Sequence, residues 1–65
     1  MKIDYDEHTD TISILFKPND PVAESDEGKP GVILDYNDAG ELVSMEILDA
    51  SKHVSEAKKI EFQTV

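Results

Sequence analysis

The feature that most constrains this chain is an internal repeat at an offset of 31 residues. Ile3-Asp4-Tyr5-Asp6 aligns with Leu34-Asp35-Tyr36-Asn37. Without a gap, Asp10 then falls on Glu41, Ile12 on Val43, Ser13 on Ser44, Ile14 on Met45 and Phe16 on Ile47. The identities are Asp4/Asp35, Tyr5/Tyr36 and Ser13/Ser44, with apolar, acidic and small positions in step around them. Such self-similarity indicates a repeated structural unit. In 65 residues two units leave room for one domain only.

Each copy reads strand, polar turn, strand. Val32, Leu34 and Tyr36 alternate with Ile33 and Asp35, the period of two that marks a strand. Asn37-Asp38-Ala39-Gly40 is turn chemistry, and Leu42 to Ile47 is the return strand. In the first copy Asp6-Glu7-His8-Thr9 is the turn, with Thr9 standing where the second copy has Gly40. Closing both turns as drawn sets Leu34 opposite Val43, Val32 opposite Met45, Ile3 opposite Ile12 and Met1 opposite Ile14. One apolar row then holds Ile12, Ile14, Phe16, Val43, Met45 and Ile47. A one-residue slip would turn every one of them to the other face. That other face carries Leu15, Ile33, Leu42 and Leu48 among Ser13, Asp35, Ser44 and Glu46. It is half apolar and calls for a cover, from the C-terminal segment or from a second subunit.

The chain therefore divides into a hairpin over 1–17, an acidic connector over 18–30, a hairpin over 31–48 and a C-terminal helix and tail over 49–65. Pro18, Pro21 and two acidic clusters limit the connector to a short edge strand around Val22 to Ser25, where carboxylates discourage sheet-to-sheet aggregation. Asp49 is placed to cap a short helix through Val54 and on toward Lys59, with Lys58 and Lys59 at its negative end. Ile60-Glu61-Phe62-Gln63 alternates again and reads either as a last strand or as a frayed end. The expected fold is mainly β: an antiparallel β-meander of four to five strands built from two similar hairpins, with one short C-terminal helix.

Fifteen acidic residues against six basic ones give a net charge of −9. Phosphate backbones repel such a chain, which argues against nucleic acid, whereas a basic protein partner is attracted to it. The absence of cysteine removes disulfides and thiolate metal sites. The longest apolar runs are of three residues, as in Ile14-Leu15-Phe16, against the roughly 18 a membrane span needs. Met1-Lys2-Ile3-Asp4 does not open a signal peptide, so the expected location is the cytoplasm. A domain this small buries only about 60 % of its unfolded surface. Self-association is the supplement left to it, and a homodimer is expected.

Candidate chemistry is sparse. In the pairs Asp4-Tyr5 and Asp35-Tyr36, strand neighbours point to opposite faces, so carboxylate and phenol do not meet on one substrate atom. The tyrosines are expected to pack at the hairpin ends and the aspartates to face solvent. Asp6, Glu7 and Asp10, then Asp38 and Glu41, then Glu24, Asp26 and Glu27 form acidic groups without the spacing of a calcium loop. His8 and His53 lack a second histidine at ligand spacing. No catalytic residue, metal or cofactor is assigned, and an enzyme is not expected.

The run Gly31-Val32-Ile33-Leu34-Asp35-Tyr36-Asn37-Asp38-Ala39-Gly40-Glu41-Leu42-Val43-Ser44-Met45-Glu46-Ile47-Leu48-Asp49-Ala50-Ser51-Lys52 resembles the hallmark segment of the domain-of-unknown-function family 2283. Met1 to Asp6, Thr9 to Phe16 and Val22 to Ser25 match the same family in the same order, so the resemblance covers about the first 54 residues. It implies a small prokaryotic β-rich protein and transfers no activity and no catalytic residue. The lysine pair and polar tail after Val54 depart from it. The expected role is a non-catalytic protein-interaction module, in the manner of an antitoxin that neutralises a basic partner. Its surface would draw on Leu15, Ile33, Leu42, Leu48, Glu24, Asp26 and Glu27. The alternative is a small binding domain that takes a metal ion or small ligand on turn carboxylates.

Overall fold

The chain forms five strands: β1 (Lys2–Asp6), β2 (Thr11–Leu15), β3 (Glu24–Lys29), β4 (Val32–Tyr36) and β5 (Leu42–Ile47), of which all but the wholly polar β3 carry apolar residues. They are described here, with the rest of residues 1–65, from a computed structural model. All neighbours are antiparallel in one sheet of order β1-β2-β5-β4-β3. The protein is mainly β, as expected. The order departs from an uninterrupted meander, because after β2 the chain crosses to the far edge and returns to lay β5 against β2.

That crossing lets the repeat act as a pseudo-two-fold. Ile14 lies directly opposite Met45, the residue 31 positions later, so the axis relating the two hairpins passes between them. Cross-strand rows follow from the pairing. Ile3, Ile14, Met45 and Leu34 form one row, and Tyr5, Ile12, Ile47 and Val32 the next on the same face. The opposite face carries Leu15, Ser44, Asp35 and Ser25 in one row and Asp4, Ser13, Glu46 and Ile33 in another.

Both hairpin registers differ by two residues from expectation. Ile3 faces Ile14 rather than Ile12, and Leu34 faces Met45 rather than Val43. The turn residues explain it. In the first hairpin the loop is Glu7 to Asp10: Asp6 Oδ1 accepts the His8 N–H at 2.9 Å, and Asp10, not Thr9, takes the left-handed conformation at φ 53°. In the second, Asn37 Oδ1 accepts the N–H groups of Ala39 and Glu41, Gly40 sits at φ 78°, and a bulge follows between Asp35 and Tyr36. A shift of two leaves each side chain on its face, so the apolar row survived. The bulge, however, pairs Leu42 with Tyr36 and takes it off the face that carries Leu15 and Ile33.

Two boundaries are also corrected. The connector holds a six-residue edge strand, β3, not a short one around Val22 to Ser25. The Phe16 and Lys17 N–H groups both donate to the Val43 carbonyl and Ala23 donates to Tyr36, which carries the crossing chain over the end of β4 and β5. The C-terminal helix is only a 3-10 turn, Ala50–Lys52. Asp49 stands at φ 49° with no capping side-chain bond, while the Ala50 and Ser51 N–H groups are drawn to Asp10. A helix whose first donors are bound to another element is docked rather than extended. Beyond it no strand forms over 60–63.

One layer of sheet buries little. Val43 is 1 % exposed, Ala50 is enclosed, and Asp35 is the one buried polar residue. Most residues of β2, β4 and β5 stay half-exposed on both faces.

Candidate functional site

Three groupings of polar side chains stand out. The first is a cross-strand array on β3, β4 and β5. Asp35 is 7 % exposed, and its two carboxylate oxygens accept from the Ser25 hydroxyl at 2.6 Å and the Ser44 hydroxyl at 2.7 Å. Bonds to both oxygens compensate the burial of this polar group, which has no cation beside it. Each oxygen thus has one hydroxyl donor, and the array clasps three adjacent strands together. The expectation that both repeated aspartates face solvent holds for Asp4, which is exposed, and is overturned for Asp35. The repeat explains the contrast. Asp4 faces Ser13 as Asp35 faces Ser44, but β4 also has β3 beside it, which contributes Ser25, whereas β1 is an edge.

The second grouping ties the first turn to the C-terminus. Asp10 Oδ1 accepts from the Tyr5 hydroxyl at 2.8 Å, and its Oδ2 accepts from the Ser51 hydroxyl at 2.6 Å. The Ser51 N–H donates to the same carboxylate, and the Ala50 N–H to the Asp10 carbonyl. The bonds from Ser51 and then Tyr5 hold the Asp10 carboxyl below the usual carboxylate range. In return the bond to Asp10, with the surrounding negative charge, holds the Tyr5 phenol above its ordinary value. Lys58 adds an ion pair to Glu7 at 2.6 Å, which raises the ammonium pKa, though both side chains are well exposed and the pair contributes little.

The third is the β3 edge. All six of its residues are exposed, and Glu24, Asp26 and Glu27 stand against a single Lys29. Glu27 is partly committed, since its Oε2 accepts the Gly31 N–H at 2.9 Å. A shallow polar hollow of about 260 Å³ lies beside this edge, between Ala23, Glu24 and the Asn37–Gly40 turn.

The surface residues singled out in the sequence thus fall in two places. Leu15 and Ile33 share the face that bears the Asp35 array, while Glu24, Asp26 and Glu27 lie on its outer strand. Leu42 is turned away by the bulge, and Leu48 lies just past β5, exposed, with its N–H on the Gly31 carbonyl. The turn carboxylates do not converge: no three His, Cys, Asp or Glu side chains come together as a metal-holding group. No helix is long and apolar enough to cross a membrane.

Residues 2–51 match the family described as protein of unknown function (DUF2283). The chain belongs to that family. No curated protein and no solved structure was found to match it. The family's segment spans all five strands and ends within the 3-10 turn, so both polar arrays lie inside it, Ser51 being its last residue. The C-terminal 14 residues lie outside it.

Proposed function

We propose that this protein is a non-catalytic interaction module whose open acidic edge, β3, receives a basic protein. The observation that carries this reading is the edge itself: six exposed residues in strand geometry, three of them carboxylates, in a chain of net charge −9. An exposed edge presents unpaired backbone donors and acceptors that another strand can complete. Its carboxylates repel the same strand of a second copy and admit a cationic one, so charge selects the partner. The half-apolar face inward of β3, with Ile33 and Leu15, offers the contact area that a strand alone lacks. Covering a basic protein in this way is how an antitoxin-like neutraliser works.

The test is affinity capture from the native host on immobilised protein. A cationic protein is expected to be retained in low salt, released as ionic strength rises, and lost with the double variant Glu24→Gln, Asp26→Asn, which spares the Glu27 bond to Gly31. Retention of nothing basic, or capture indifferent to salt and to these substitutions, would overturn the proposal.

A further inference from the structure

The C-terminal segment points to a second partner, and here the observations favour another copy of this chain. After the 3-10 turn the chain passes over the apolar face at the β1–β2 side and leaves a groove of about 290 Å³. Ile3, Ile12, Ile14 and Ile47 form its floor, and Val54 and Ala57 one wall. The residues that follow do not fill it. Ile60 is on its rim and 60 % exposed, and Phe62 is 81 % exposed. One molecule therefore displays an unfilled apolar slot and an aromatic side chain with no home.

Two independent quantities select a second copy as the occupant. The first is area. A folded monomer of 7.2 kDa exposes about 4,100 Å² by the usual scaling with mass, whereas this chain exposes 4998 Å². The surplus, roughly 900 Å², is close to the approximately 800 Å² that each partner contributes to an interface of standard size. The second is charge. Residues 52–65 hold three of the six lysines (Lys52, Lys58, Lys59) and only two acidic residues (Glu56, Glu61), a net of +1, which leaves −10 on residues 1–51. The tail is thus net positive against an acidic sheet, with Lys58 already paired to Glu7 of the first turn and Lys59 to Glu61.

We propose that two copies associate by exchanging these tails, Phe62 of each entering the groove over Ile12 and Ile14 of the other. A patch that holds both the projecting ring and the slot is self-complementary, and a two-fold arrangement closes it as a dimer. Burying an aromatic side chain of this size against aliphatic residues is the type of anchor that carries interface energy. The surface used lies across the sheet from the Leu15–Ile33 face and at the edge away from β3, so dimerisation and capture of a basic protein are separable.

Sedimentation velocity on the full chain at micromolar concentration tests this, with Phe62→Asp as the variant. That side chain touches solvent, so the variant is expected to keep the circular dichroism spectrum of the parent. The parent is expected to sediment as a dimer and the variant as a monomer. Mixed isotope labelling is expected to show intermolecular contacts between Phe62 and the methyl groups of Ile12 and Ile14. A monomeric parent, contacts of Phe62 only with its own sheet, or a dimer that persists in Phe62→Asp would each overturn the exchange.

Discussion

Ser44→Ala is expected to lower folding stability by about 2 kcal/mol, because it strips one of two donors from a buried carboxylate and leaves that oxygen unsatisfied. In a domain of this size that corresponds to a fall in Tm of roughly 10 °C. The repeat supplies its own control. Ser13 occupies the equivalent place opposite Asp4, but Asp4 is exposed and bonds water freely, so Ser13→Ala is expected to change stability by no more than about 0.5 kcal/mol. Ser25→Ala should fall between them, since Ser25 is itself exposed and water can replace its hydroxyl. Thermal unfolding of the three variants reads the order directly. Equal effects at Ser13 and Ser44 would show that the Asp35 clasp contributes nothing specific.

Asp10→Ala is expected to release the C-terminal turn from the sheet. It removes the acceptor of the Tyr5 hydroxyl, the Ser51 hydroxyl and the Ser51 N–H together, and it places alanine at φ 53°, where aspartate is better tolerated. Amide protection at Ala50 and Val54 should drop by roughly tenfold or more, while that of β4 and β5 changes less. The same group gives a pH signature. Its folded-state pKa lies below the ordinary carboxylate value of about 3.9, so the stability it confers is complete above that pH and is lost as pH falls through the lowered value. Tyr5 acts in the opposite sense. Its folded pKa is raised above about 10, so its contribution is complete below that pH and lost as pH climbs through the raised value. The latch is thus expected to hold across the whole range between these limits and to weaken outside it. Asp10→Ala should flatten both limbs, and limbs unchanged in the variant would assign the pH dependence elsewhere.

The parts of this fold legible in the sequence were those set by side-chain period. Alternation through Val32–Tyr36 and Leu42–Ile47 identified the strands and put Ile12, Ile14, Met45 and Ile47 on one face, because a period of two survives any even error in register. Register itself depends on turn conformation. A glycine at 40 marks one left-handed position, but Asp10 and Asp49 adopt it without glycine, which moves the first pairing and the C-terminal helix, while the Asn37 bonds and the bulge beside Tyr36 move the second pairing. The clasp had a signal that the register error hid. Asp and Ser are two of the three identities of the repeat, and with Asp35 opposite Ser44 they are direct cross-strand partners. Ser25 had no such signal, since nothing local in a polar connector marks the one hydroxyl that will meet a strand ten residues on. The bond between Asp10 and Ser51 spans 41 residues and is a product of tertiary docking alone.

The central claim is that β3 is the strand a basic partner completes, and amide hydrogen exchange of the protein with and without the captured cationic protein tests it most directly. The outward-facing amides of Glu24–Lys29 are expected to exchange fast alone and to become protected in the complex, with protection extending inward to Ile33 and not to the Phe62 tail. A complex that leaves β3 exchanging as in the free protein, with protection confined to β1 or to the tail, would contradict the claim.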